Sequence, residues 1–527
     1  DNIRFRYGQP EKIGGWAKVT SDALLGATRA ILTWSDLSGV NYAMYGTNKK
    51  LYAYSEGSYG DITPSRGTGS ITQFETTPAN LQNEFEIQTV PSSSTYTIVS
   101  PAAASSDATG ATATATYQIN SDQPISIYGY GWGAGVWNVS TWDTTREGLT
   151  GAEGVLLGSG KWVLDNWGED VLSLKFDGGL YYWDTSAGLS SNLAATTSVS
   201  AAPTKSRFMM VSGDDRHVIC FGTETTIGTT STQDNMFIRW SDQETINTWT
   251  PTATNTAGSQ RLTAGNQINT AVRSRGAILV YTDTALYQMQ FIGPPFTFGF
   301  KQLGSNCGAV AINSAIDISG ITYWMGTDSF FMFDGAVKKL PCTVQDYVFD
   351  DINVNAIQDI YCAANTDFNE VIWFYPSEDS LQIDRHVTFN YAENLWYIGS
   401  LARSSWADRG VYSNPYATEF DSDDTTDTIT TIYGNKEGRT FVYAQEKGVN
   451  AAGSAMTAYI ESGDIDIADG DQFMSISRFI PDFKNQTGTV DLTVKARPYP
   501  ATSQTSHGPY AITTSVTKQD TRIRGRQ

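Results

Sequence analysis

YAMYGTNKKLYAY, Tyr42–Tyr54, places an aromatic strand, a polar turn and a second aromatic strand in immediate succession. The phrase returns as VLSLKFDGGLYYWD (Val171–Asp184), ILVYTDTALYQM (Ile278–Met289) and ITYWMGTDSFFMFDG (Ile321–Gly335). Two more copies are VIWFYPSEDSLQID (Val371–Asp384) and TIYGNKEGRTFVYA (Thr431–Ala444). A two-stranded hairpin cannot bury its own apolar face, so a hairpin repeated at intervals must stack on copies of itself. Turns at Gly178, Gly222, Asp283, Thr327, Glu378 and Gly434 fall 44, 61, 44, 51 and 56 residues apart. Four-stranded propeller blades repeat about every 40 to 50 residues, with loops lengthening some repeats. The spacing predicts an all-β, propeller-like fold of about six blades. A pair of β-sandwiches also supplies many short strands, but not the same aromatic hairpin at a near-regular interval.

The composition agrees with that class. The 527 residues include 48 Gly, 27 Tyr, 23 Phe and 14 Trp, with no long runs of helix formers. The formal net charge is -20, although only 17% of residues are charged. Such a surface repels nucleic acid and anionic membranes, which argues against a sequence-specific DNA binder. The cysteines, Cys220, Cys307, Cys342 and Cys362, lie far apart without a CxxC pair. They read as buried thiols rather than as a zinc site or a disulfide scaffold. No apolar run is long enough for a membrane-spanning helix.

From Gly46 to Gly178 the turn spacing stretches to 132 residues, so something is inserted. Within it, Phe85–Val90, Thr95–Val99 and Ala111–Ile119 alternate with period two and predict three short strands. The organisation expected is therefore N-terminal strands and a first blade in 1–66 and a small inserted β domain in 67–127. The remaining blades fill 128–458, and a β segment in 459–527 closes the propeller or contacts a neighbour. The Gly- and Trp-rich stretch Tyr128–Trp142 reads as a packed return loop, or as a ligand platform on Trp132, Trp137 and Trp142. The opening Asn2–Phe5 alternates like a strand, and the end, SVTKQDTRIRGRQ, reads as a strand without a partner. Both ends are expected to be incomplete.

Chemistry-bearing motifs are sparse. His217, His386 and His507 have no Ser or Cys motif beside them, and GxSxG, HExxH and the P-loop are absent. Asp464, Asp466, Asp469 and Asp471 in GDIDIADGD lack the register and the final Glu of a calcium loop, and fit a strand and turn better. The acidic loop Phe420–Asp427 is a candidate of the same standing. WSDQETINTW (Trp240–Trp249) and WSDLSG (Trp34–Gly39) resemble the Asp-box turn of sialidase-type propellers, in which the carboxylate satisfies a turn beneath a Trp. No catalytic, cofactor-binding or metal residues are assigned, and the expectation is a non-enzyme without a cofactor.

Three segments carry a resemblance to a family. NIRFRYGQPEKIGGW (Asn2–Trp16), followed by GTNKKLYAY and DITP (Asp61–Pro64), resembles virion structural proteins of short-tailed bacteriophages. RWSDQETINTWTPTATNTAGSQRL (Arg239–Leu262) and YIESGDIDIADGDQFMSISRFIPDF (Tyr459–Phe483) are similar to the same group. Within it the architecture resembles the tail nozzle, or tail tubular protein B. That resemblance implies a homohexameric ring in the virion tail that extends and gates the DNA ejection channel. Its implied partners are the tail adaptor protein and tail fibre proteins, with duplex DNA passing through the lumen without specific binding; from the net charge of -20 that lumen is expected to be acidic. The alternative is a propeller lectin or glycosidase that recognises host-surface glycans, with Trp132 and Trp137 as the first contacts to test.

Overall fold

Four copies of the repeated phrase supply the two middle strands of four-stranded antiparallel sheets; six such sheets and a seventh of five strands form a β-propeller. In this computed structural model the described residues are 1–74, 85, 87–92, 94–98, 108–128, 156–189, 196–213, 215–422, 438–466, 472–499 and 501–526. Contacts divide the chain into two compact units, Asp1–Ala458 and Tyr459–Gln527. Blades 1 to 6 occupy residues 28–61, 162–198, 208–261, 268–305, 315–340 and 361–399. Blade 7 takes Ser405–Ala407, Tyr416–Asp421 and Arg439–Ala444 from one end of the propeller. Its outer edge comes from the other end, where Ala17–Lys18 and Leu24–Leu25 both pair with Arg439–Ala444. The first strand of each blade packs against the first strand of the next, and Thr28–Ser35 lies against Ser405–Ala407, so the ring closes.

The six turns from Gly178 to Gly434 fall in the sequence spans of blades 2 to 7, and the hairpin Tyr42–Tyr54 beyond the 132-residue gap adds blade 1, so the expected six blades become seven. In blade 3 the middle strands, Val218–Phe221 and Phe237–Trp240, are separated by the long connection 222–236. In two copies of the phrase the turn is built the same way. Thr47 Oγ1 accepts from the backbone N–H of Lys49 and Lys50 at 3.2 and 2.8 Å. Thr282 Oγ1 accepts from Thr284 and Ala285 at the same two distances. A hydroxyl that satisfies two turn donors makes Thr a local folding signal at this position.

Strands of a blade are buried on both faces, so their aromatic residues fill the gaps between blades. Seven apolar clusters occur among the described residues, one for each interface between neighbouring blades. Trp34 and Trp183 meet edge to face at 6.2 Å between blades 1 and 2, and Phe330 and Trp373 lie 4.8 Å apart between blades 5 and 6. The indole N–H groups reach across these joints. Trp162 donates to Thr47 O at 2.9 Å, Trp373 to Ser314 O at 3.2 Å and Trp406 to Ala364 O at 2.9 Å. Each such Trp combines a large apolar area with one satisfied polar handle. Cys220, Cys307 and Cys362 are buried, Cys342 is partly buried, and all four are free thiols.

Between blades 1 and 2, Ser65–Phe74 pairs with Ala108–Gln118 in a long hairpin, and Ile87–Ser92 pairs with Thr95–Ile98. The sequence reading missed Ser65–Phe74, whose Gly, Ser and Thr residues give no apolar alternation. In the C-terminal unit Met474–Phe479 pairs with Gln519–Gly525, and Val490–Ala496 pairs with Thr505–Ile512. The last strand, expected to lack a partner, finds one about forty residues upstream. Residues 459–466, expected as a strand, form none. Side-chain pairs hold that stretch to Val490–Ala496 and its neighbour instead, through Glu461 with Lys495 at 2.6 Å and Asp464 with Arg497. No helix among the described residues is long and apolar enough to cross a membrane.

Candidate functional site

The first strands of the blades line the propeller axis, and charged side chains stand where several of them begin. Arg29 is the second residue of Thr28–Ser35 in blade 1, and Lys161 immediately precedes Trp162–Trp167 in blade 2. Asp359 precedes Tyr361–Asn365 in blade 6. All three are buried, and they converge. Asp359 Oδ1 lies 3.1 Å from Arg29 Nε and 2.8 Å from Lys161 Nζ, while Arg29 Nη2 donates to Oδ2 at 3.2 Å. Ser159 Oγ donates to the same carboxylate and accepts from Lys161 Nζ at 2.7 Å. Burial alone would raise the Asp359 pKa, but Arg29 and Lys161 outweigh it and hold the group down at about 2. Lys161 moves the other way: desolvation lowers its pKa, only partly countered by Asp359, and the Arg29 and Arg207 charges add to the lowering.

A second axial carboxylate, Asp165, joins blades 2, 3 and 4. It pairs with Arg273 of blade 4 and accepts from the Val211 N–H of blade 3 at 2.7 Å. Arg273 Nε in turn donates to Val211 O at 2.7 Å.

The third cluster fastens the N-terminal hairpin, Ile3–Arg6 with Gln9–Lys12, to blade 6. Arg4 is 4% exposed and lies 2.9 Å from Glu370 Oε1, pairs also with Glu446, and sits over the Phe368 ring at 3.6 Å. Asn365 Nδ2 bridges Glu370 and Glu446 at 3.0 and 3.1 Å, and the Tyr397 hydroxyl donates to Glu370. Two carboxylates thus share one buried guanidinium. Burial, reinforced by Glu446, pushes the Glu370 carboxyl up to about 7 against the opposing pull of Arg4.

Two of the three histidines are buried in the propeller. His217 is fully buried, with Nδ1 2.8 Å from Asp215 Oδ2 and Nε2 3.0 Å from Thr256 Oγ1. The Thr256 hydroxyl donates to Asp242 at 2.7 Å, so its proton is held away from the imidazole and it is not poised as a nucleophile. His386 is buried against Phe374, and desolvation, with nearby positive charge, lowers its pKa to about 3. His507 lies in the C-terminal unit, opposite Val494. In both WSD motifs the aspartate organises a turn. Asp242 Oδ1 accepts from Gln243 and Thr256 N–H groups beside the buried Trp240, and Asp36 Oδ1 accepts from Ser38 and Val40 beside Trp34. No group of three or more His, Cys, Asp or Glu suited to a metal occurs among the described residues. Trp132, Trp137, Trp142, Asp469, Asp471 and most of Phe420–Asp427 lie outside the described residues.

The axial charges escaped the sequence reading. Their signal is faint but physical: TRAILTW, SGKWVL and IQDIYC each place one charge at the head of an apolar strand.

No family model matches the chain, and no curated protein matches it. Solved structures do. A computationally designed protein, Ika8, is 9% identical over 82% of this chain and all of its own, with a TM-score of 0.36. A chain of the mitotic checkpoint complex is 12% identical over 49% of this chain and 71% of its own, with a TM-score of 0.32. A mutant apocarotenoid oxygenase from Synechocystis is 9% identical over 49% of this chain and 65% of its own, with a TM-score of 0.29.

Proposed function

We propose that the chain is a structural, non-enzymatic component of a short-tailed phage tail, the hexameric nozzle that extends and gates the DNA channel. The observation that carries this reading is where the residues of the resemblance go. Arg4 in NIRFRYGQPEK is buried between Glu370 and Glu446, and Trp240, Asp242 and Trp249 of the second segment pack or organise turns within the propeller. These residues serve as joints of a rigid wall. The charge distribution is in keeping with a DNA conduit. Residues 1–458 hold 27 Lys and Arg against 47 Asp and Glu, whereas 459–527 hold eight of each. A lumen lined by the acidic unit would repel phosphate and let duplex DNA slide.

Light scattering and negative-stain microscopy of the purified chain, alone and with the tail adaptor protein, test the proposal. Rings of about six copies are expected. A strict monomer under both conditions overturns it. In the same preparation a glycan array probes the lectin alternative: sugar binding lost in Trp132→Ala would move the function to that class.

A further inference from the structure

The C-terminal unit is short of core. Among its described residues the buried apolar side chains are Ala496, Ile512 and Ile523, whereas Phe473, Ile480, Phe483 and Tyr499 stand exposed, Ile480 at 74%. Its strands form two separate ribbons, joined by the Phe479 and Tyr510 rings at 5.5 Å and by Arg526 N–H donating to Arg497 O at 2.8 Å. Two-stranded ribbons are marginal by themselves, and so few buried apolar residues do not make a stable core. Such a unit gains from being covered.

The surface it presents is basic. Thr521, Ile523 and Gly525 of the last strand are buried, so Arg522, Arg524 and Arg526 share the opposite face at period two. Arg524 and Arg526 lie over the Phe473 ring at 5.4 and 4.5 Å, and Arg526 also over Tyr499 at 5.2 Å. Arg478 on the facing strand is taken up by Asp520 at 2.5 Å. Residues 472–527 hold eight Lys and Arg against Asp482, Asp491 and Asp520. Copies of this patch repel one another, so the surface that covers it carries the opposite charge.

The propeller has a face of the matching kind. The helix Gln345–Asp351 and the residues after it adjoin 376–384 of blade 6, where Asn353 N–H donates to Pro376 O at 3.1 Å and Asn353 Nδ2 to Ser380 O at 2.9 Å. Tyr347, Val354 and Leu381 are exposed there, Val354 at 71%, together with Asp346, Asp350, Glu378 and Asp379. Neither 345–357 nor 376–384 contains a Lys or Arg. Arg385, the next residue, is engaged by Asp351 at 3.3 Å and donates to the Tyr347 hydroxyl at 3.0 Å.

We propose that the C-terminal unit of one copy docks on this face of the next copy, its basic aromatic patch against the acidic apolar one. The contact joins unlike surfaces, so it runs head to tail and generates a ring where its rotation closes. It rests on the hexamer proposed above and gives that ring its joint.

Two full-length, charge-reversed chains test the joint by sedimentation velocity. One carries Glu378→Lys and Asp379→Lys, the other Arg522→Glu and Arg524→Glu. All four residues are exposed, and thermal unfolding verifies that both chains keep the parent's transition. Each variant alone opposes like charges at every joint, and its self-association is expected to weaken at least about tenfold. Mixed in equal amounts, the two alternate around an even-numbered ring with every joint matched, so assembly returns to the parent level. Docking of the unit on its own propeller gives no such rescue. Parent-like assembly of either variant, or a mixture no better than its components, overturns the joint and leaves the hexamer standing. A parent chain that stays monomeric alone and with the tail adaptor protein removes the hexamer and the joint with it.

Discussion

Glu370 shows how one residue can tilt the response of the whole ring to pH. Its folded pKa of about 7 lies above that of an exposed glutamate, so the folded state holds a proton that the unfolded state releases. The resulting stability is fully present below about pH 4.5 and is lost as pH rises through 7. His386 acts oppositely. Its pKa is depressed to about 3, so stability falls as acid protonates the unfolded chain below about pH 6.5. Glu370→Gln should therefore leave a protein whose stability climbs more steeply from pH 5 to 7 than that of the parent, measurable by urea titration at each pH. Indistinguishable slopes would show that the carboxyl is ionised throughout. Trp373, buried between blades 5 and 6 and bonded to Ser314, supplies a second case. Trp373→Ala should cost about 3–5 kcal/mol, whereas Trp167→Ala, at a partly exposed site, should cost less in the same assay. Tryptophan as packing was legible from the phrase itself. Arg29, Lys161 and Asp359 were not, because what makes them notable is convergence from three blades far apart in the sequence.

At the scale of the element, the N-terminal hairpin and the strands after it hold the ring shut. Arg4→Ala would leave Glu370 and Glu446 facing each other across a buried site, and breaking such a pair costs about 3–5 kcal/mol. The expected outcome is an early unfolding transition and faster proteolysis of the first 25 residues. Simultaneous Glu370→Gln and Glu446→Gln substitutions should recover part of the loss. If Arg4→Ala unfolds like the parent protein, the hairpin is not a fastening. Strand identity was readable where Tyr, Phe, Trp and β-branched residues alternate, as in Ile278–Met289. It failed at Ser65–Phe74, whose place is set by pairing with Ala108–Gln118 rather than by its own pattern. The reverse error occurred at 459–466, where alternation exists but charged side chains provide the attachment.

For the whole molecule, repetition made the architecture legible, and irregular connections obscured the blade count. The 132-residue gap set blade 1 apart from the regular series of turns, and blade 7 borrows its edge from residues that precede blade 1. The seven interfaces draw on residues within Asp1–Ala458, so a chain ending at Ala458 should keep its β-sheet circular dichroism and a cooperative melt. Loss of the cooperative transition would show that the C-terminal unit is needed to support the propeller.

Pairing of Ala17 with Ala444 also sets an order of events during synthesis. The strand translated among the first must wait, unpaired, until almost the entire propeller has left the ribosome. Until then the nascent sheet has two raw edges, each able to recruit a neighbouring chain, and the final residues of blade 7 decide whether a closed circle or an aggregate results.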